Sequence, residues 1–164
     1  MPTSVTNDST RPWDRQRAEE IIAAHDGVEG ATLPILHALQ QAFGYIDREA
    51  VPLVAQALNL SRAEIHGVVS FYHDFRETPP GRHVLKLCRA EACQSMGADA
   101  LAATARDRLQ IGWHETTPDG RVTLEPVFCL GLCACAPAAM LDGKVVGALD
   151  ERRLTALISE ARGT

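Results

Sequence analysis

The chain has 164 residues, 46% hydrophobic and 23% charged, the composition of an ordinary globular protein of one domain or two small ones. Sixteen Lys and Arg against 21 Asp and Glu leave a formal net charge of -5, which argues against the basic stripe of a nucleic-acid surface and against a polybasic patch for anionic lipid. No apolar run approaches the roughly 20 residues of a transmembrane helix, and residues 1–10 lack the apolar stretch of a secretory signal. The expectation is a cytoplasmic protein with no nucleic-acid partner and no direct membrane insertion.

Residues 1–13 are polar, carry Pro2 and Pro12, and show no apolar periodicity, which predicts a loose tail. From about Asp14 the pattern turns helical: Ala18, Ile21 and Ile22 share one face and Gly27 closes the segment. A second helix is expected from Thr32, the candidate N-cap, with Pro34 in its first turn, a stripe of Leu36, Leu39 and Phe43, and Gly44 at its end. A third spans about Glu49 to Leu58, with Val51, Val54, Ala55 and Leu58 on one face, Pro52 tolerated near its start and Asn59 suited to its end. Ser61 and Glu64 form a capping box for a fourth, whose inward side is Ile65, Val68, Val69 and Tyr72. Residues 14–76 therefore read as a helical bundle. Thr78-Pro79-Pro80-Gly81 breaks regular structure, so 77–82 is read as a linker and 83–164 as a second domain.

That second domain changes period. His83 to Leu87 alternates and runs into Cys88, a strand that delivers a cysteine into a loop. Residues 95–109, with Met96, Ala100, Leu101, Ala105 and Leu109, predict a helix; 116–120 is turn-rich; Val122 to Val127 is a second strand ending near Cys129. Strand, helix and strand of these lengths make a parallel βαβ unit. Both cysteine loops then leave the C-terminal ends of neighbouring strands, where open α/β sheets bind cofactors. Asp142-Gly143 between two short apolar runs signals a hairpin, and Asp150 caps a last helix to about Ala161, with Leu154, Leu157 and Ile158 inward. The predicted fold class is α+β: an N-terminal helical bundle followed by a thioredoxin-like βαβ-ββα domain.

All five cysteines, Cys88, Cys93, Cys129, Cys133 and Cys135, lie in this half, and an odd, clustered set in a reducing compartment suggests a metal or redox site rather than a disulfide framework. Four form the pairs C-x4-C (Cys88, Cys93) and C-x3-C (Cys129, Cys133), 35 residues apart. Two short-spaced thiolate pairs on two loops can surround a metal centre. On spacing alone, zinc and an iron–sulfur cluster stay equally open, with plain buried thiols as the bland alternative.

Cys88-Arg89-Ala90-Glu91-Ala92-Cys93 and Val127-Phe128-Cys129-Leu130-Gly131-Leu132-Cys133-Ala134-Cys135-Ala136-Pro137 resemble the thioredoxin-like 2Fe–2S ferredoxins, the family of the small 2Fe–2S subunit of respiratory NADH:quinone oxidoreductase. Gly67 to Phe75 followed by Pro80-Gly81-Arg82-His83 resembles the helix-to-linker signature of that family, so the likeness covers about residues 15–160. Its hosts include respiratory complex I, NAD-linked hydrogenases and NAD-dependent molybdenum or tungsten formate dehydrogenases. The stretches Arg89–Gly97 and Cys129–Cys135 look most like the gamma subunit of the soluble formate dehydrogenases.

The resemblance implies one 2Fe–2S cluster on Cys88, Cys93, Cys129 and Cys133, at the low potential of all-cysteine clusters, near about −400 mV in plant-type ferredoxins. It implies an electron-transfer subunit with no catalytic residue and no substrate site of its own. Expected partners are a larger flavin (FMN) and iron–sulfur NAD-binding subunit and a molybdenum-containing formate dehydrogenase catalytic subunit. Cys135 is expected to be a small buried residue of the loop, against a replacement ligand or a thiol tuning the cluster. The loops after Cys88 and Cys129 should supply backbone N–H groups to the sulfurs, with Gly131 permitting close approach; Pro137 either fixes the loop's shape or makes a plain turn. His73 and His83 read as structural or exposed, and Glu19-Glu20 and Arg152-Arg153 as solvated helix faces. Two other classes stay in view: a zinc-stabilised interaction module, and a thiol oxidoreductase using Cys133 and Cys135, whose C-x-C spacing departs from the usual C-x-x-C.

Overall fold

A computed structural model describes residues 12–163, and these divide into two compact units that meet in sequence at Pro80 and Gly81. The expected tail lies almost wholly outside the described residues. Its last member, Trp13, is not loose: the indole packs on Phe43 at 5.0 Å between ring centroids and donates to the Glu49 carboxylate at 3.1 Å.

The first unit has four helices. In α1 (Arg15–Ala23) the Asp14 carboxylate takes the N–H groups of Gln16 and Arg17, satisfying donors that the first turn leaves free. Helix α2 (Thr32–Phe43) departs from expectation at its start. Ala31 holds the N-cap position in helical conformation, no side chain caps it, and Thr32 is already inside. Gly44 ends it in the left-handed region. Asn59 does the same for α3 (Ala50–Leu58). The Ser61–Glu64 capping box of α4 (Arg62–Phe71) forms in both directions. Ile35, Leu36, Leu39, Phe43, Val54, Ile65 and Val69 make the core. Tyr72 stands half exposed, contrary to the inward position expected for it, because it leaves the helix at ψ 100 and loses the phase of Ile65 and Val69.

The second unit is a five-stranded mixed sheet in the order β2-β3-β1-β4-β5. Strand β1 (His83–Cys88) is central, parallel to β3 (Val122–Val127) and antiparallel to β4 (Ala139–Leu141). Strand β5 (Lys144–Val146) closes one edge. At the other edge lies the two-residue β2 (Glu115–Thr116), a strand not foreseen at the head of the expected loop.

The helix expected over 95–109 is broken. Gly97, at φ 90, separates α5 (Glu91–Ser95) from α6 (Ala98–Leu109). The inward face of α6 is Ala98, Ala102, Ala105 and Leu109, so Met96 and Ala100 point out. Leu85, Leu87, Val122, Leu124, Ala139 and Leu141 share one core with α6 and with Leu154, Leu157 and Ile158 of α7 (Glu151–Arg162). Asp142 and Gly143 both have positive φ, 49° and 85°, the geometry a two-residue hairpin turn needs to match strand twist. The Asp150 carboxylate caps α7 through the Arg153 N–H. The order is βαβ followed by ββα, as the hydrophobic pattern predicted. Among the described residues no helix is long and apolar enough to cross a membrane.

Candidate metal centre

Because β1 and β3 run parallel in register, Cys88 faces Val127 and both chains leave the sheet at the same end. The first loop is short: Arg89 N–H bonds back to the Val127 carbonyl at 2.7 Å, and α5 then carries Cys93 inward. Cys88 and Cys93 are 2% and 3% exposed, packed with Ala98 and Ala138 and bordered by Val127, Leu130, Leu132 and Ala136. The second loop runs from Phe128 into a 3-10 turn (Cys133–Cys135), and its three thiols are exposed and free. The Cys129 and Cys133 sulfurs lie 3.8 Å apart.

Cys129 has φ 113, a conformation costing a non-glycine residue on the order of 1–3 kcal/mol and concentrated at functional sites. Its sulfur accepts the Gly131 N–H at 3.3 Å. Gly131 itself has φ 75, with nothing within 4 Å of a hypothetical Cβ. Glycine is thus suited here by the left-handed turn, which aims its N–H at the Cys129 sulfur.

The thiols sense one another. Burial pushes the Cys88 thiol up, but hydrogen bonds from the Ala90, Cys129 and Leu130 N–H groups and from the Cys93 thiol bring it below the ordinary cysteine value. Burial raises Cys93, as do the Cys88 sulfur and the charge on Cys133, against a hydrogen bond from the Ala138 N–H. Cys133 is raised chiefly by its hydrogen bond to Cys129 and by that neighbour's charge. Four of the five cysteines thus form one interacting set, as a buried pair and an exposed pair. Crowded thiolates repel, and a cationic centre bridging them relieves that repulsion, so the donor set fits a two-iron cluster. No group of three or more His, Cys, Asp or Glu side chains among the described residues is arranged to hold a single metal ion. Cys135 is exposed rather than buried as expected; its carbonyl is tied instead to the Ala148 N–H.

Four contributors were not read from the sequence. Phe128 and Met96 stand 70% and 62% exposed beside the cysteine-bearing segments. Gly147 lies against Cys135, and Arg153, read as a solvated face, donates to the carbonyls of Gly147 and Ala148. Apolar residues next to the cysteines were the one available signal for the first two. Nothing local marks the others, which meet the loop from afar in sequence. His83 proves structural, its Nδ1 lying 2.6 Å from the Asp142 carboxylate.

The family model for Thioredoxin-like [2Fe-2S] ferredoxin matches residues 18–162. The chain is 34% identical over 132 residues to the NADP-reducing hydrogenase subunit HndA of Solidesulfovibrio fructosivorans, covering 80% of this chain and 77% of that protein. It is 31% identical over 134 residues to an NADH-quinone oxidoreductase subunit of Pseudomonas aeruginosa, covering 82% and 81%. Among solved structures, a chain of an air-oxidised NAD+-reducing NiFe hydrogenase superposes with a TM-score of 0.66 at 32% identity over 78% of this chain. The match spans only 22% of that longer chain. The chain thus belongs to the thioredoxin-like 2Fe–2S ferredoxin family, and membership implies one 2Fe–2S cluster.

Proposed function

We propose that Cys88, Cys93, Cys129 and Cys133 each give a thiolate to the cluster, and that the chain is the electron-transfer subunit of an NAD-linked oxidoreductase complex. The observation that carries this reading is the meeting of the two cysteine pairs at one end of the parallel strands. When bound, the cluster supplies one-electron transfer. The chain's own residues set its surroundings. The N–H groups of Ala90, Cys129 and Leu130 stabilise negative charge on the Cys88 sulfur, and that of Ala138 does so at Cys93. The apolar border of Val127, Leu130, Leu132 and Ala136 limits water at the buried pair. The exposed pair, with the exposed Phe128 next to Cys129, offers the short, apolar path on which an electron partner docks.

The host we favour is a soluble NAD-dependent formate dehydrogenase, on the likeness of Arg89–Gly97 and Cys129–Cys135 to its gamma subunit. The partners would be a flavin (FMN) and iron–sulfur NAD-binding subunit and a molybdenum-containing catalytic subunit. The chain would exchange single electrons with the flavin in the cytoplasm. The second reading, the equivalent subunit of NADH:quinone oxidoreductase or an NAD-linked hydrogenase, is favoured by the names of the relatives above.

Two measurements test this. Anaerobically purified chain should contain about two irons and two sulfides and give a rhombic S = 1/2 signal after dithionite reduction; stoichiometric zinc without colour would leave an interaction module instead, and thiol–disulfide activity of metal-free protein would favour the oxidoreductase. Affinity purification from the native cell should bring down subunits that reduce NAD+ with formate. Recovery of quinone-reductase or hydrogenase subunits alone would transfer the chain to the second reading.

A further inference from the structure

The run that follows the exposed cysteine pair is held from outside its own loop. A Cβ on Gly147 would stand 2.9 Å from the Cys135 Cβ and 3.1 Å from its carbonyl oxygen. Ala148 donates its N–H to that carbonyl at 2.5 Å, and Leu149 donates to the Pro137 carbonyl at 2.9 Å. The Arg153 guanidinium, in the first turn of α7, reaches back to the carbonyls of Gly147 at 2.8 Å and Ala148 at 3.2 Å. At the far end of the same run, the Ala138 carbonyl takes the Cys88 N–H at 3.0 Å, and the Ala138 N–H bonds to the Cys93 sulfur. Contacts therefore pass from α7, through 147–149 and 135–138, to the buried pair, and the same run touches the exposed pair where the Ala136 N–H bonds to the Cys133 carbonyl at 3.4 Å.

We infer that Gly147 and Arg153 are positioning residues for the cluster: they seat the 135–138 run, and with it the spacing between the exposed and the buried cysteine pair. The inference rests on the reading that these four cysteines are the ligands. Its physical basis is the narrow tolerance of metal–sulfur bonds. The exposed loop packs inward only through Leu130, Leu132 and Ala136, so the brace at 147–149 adds the hold on the run after Cys133, and such outer contacts change metal affinity by about 10–100-fold when removed. Gly147 does not occupy the left-handed region. Alanine there meets no backbone objection, only the Cys135 contact.

The test uses the full chain loaded with cluster. Iron and sulfide in the unsubstituted protein come first: a chain that loads no iron refutes the ligand reading itself, whatever the variants do. In loaded protein, Gly147→Ala and Arg153→Gln should each lose iron to a ferrous chelator about tenfold faster, with shifted g values in the reduced EPR spectrum. Arg153→Lys should recover part of the change. Cys135→Gly in the Gly147→Ala background should move the release rate part of the way back, because the Cβ–Cβ collision is gone while the approach to the carbonyl oxygen stays. Arg162→Gln is the control: it removes a hydrogen bond from α7 to the Arg108 carbonyl at the other end of the helix and should lower the melting temperature without altering release or g values. If Gly147→Ala does not fold, the two Arg153 variants decide. Unchanged g values, or release rates that track melting temperature across all variants including Arg162→Gln, would overturn the inference.

Discussion

The hairpin turn at Asp142 is the sharpest place to test how this sheet is held. Its carboxylate accepts the Val84 N–H at 2.8 Å and meets His83 Nδ1 at 2.6 Å, at φ 49. Asp142→Ala does three things. It leaves a part-buried N–H without its acceptor, at about 1–3 kcal/mol. It puts a residue with no local hydrogen bond into the left-handed region, at about 1 kcal/mol. It removes a partly exposed His contact worth at most about 1 kcal/mol. The expected total is about 3 kcal/mol. Asp142→Asn keeps the acceptor and the tolerance for positive φ and should cost about 1 kcal/mol. Asp142→Gly relieves the backbone but not the lost acceptor and should cost about 2 kcal/mol. Urea unfolding followed by Trp113 fluorescence, in a Trp13→Phe background that silences the only other tryptophan, reads the second unit alone. The reasoning fails if Asn is as damaging as Ala, since charge rather than acceptor and backbone would then dominate.

Three further outcomes are expected. Alanine at Cys88, Cys93, Cys129 or Cys133 should leave iron well below the about two atoms per chain of the cluster, while Cys135→Ala should retain them; iron analysis and EPR decide. Phe128→Asp should leave the EPR spectrum unchanged yet weaken binding to the electron partner about tenfold, since an exposed aromatic beside the centre suits an interface anchor; an unchanged Kd would remove this face from the docking surface. Finally, the Ser61 N–H and hydroxyl hold the Glu64 carboxyl below the usual carboxylate range. A folded value below the unfolded one means its contribution is present above the unfolded pKa and drains as pH falls through the folded value. The urea midpoint of the first unit should therefore drop on acidification, and less steeply in Ser61→Ala.

Much of this was legible in the chain because it is local. The Ser61–Glu64 box, the stops at Gly44 and Asn59, the Asp142-Gly143 turn and the Asp150 cap each depend on residues within a few positions of one another, and each appears where the sequence places it. Periodicity identified β1 and β3, and the cysteine spacing with its flanking residues carried the family. It misled where local pattern is weak: Thr32 satisfied the rule for a cap although Ala31 occupies the place, and Met96 and Ala100 suggested a helix phase that Gly97 interrupts.

Most of the elements and their α+β order were thus readable from the residues alone, because these follow from hydrogen-bonding and burial patterns repeated every two to four positions, and the parallel βαβ connection then put both thiol pairs at one end of the sheet. Long-range packing was needed to reveal that one thiol pair is buried and the other exposed. The same holds for Cys129 at φ 113, and for the brace that Arg153 and Gly147 place on the run after Cys133. Those features arise where segments distant in the chain approach within van der Waals and hydrogen-bond range, a distance no local pattern encodes.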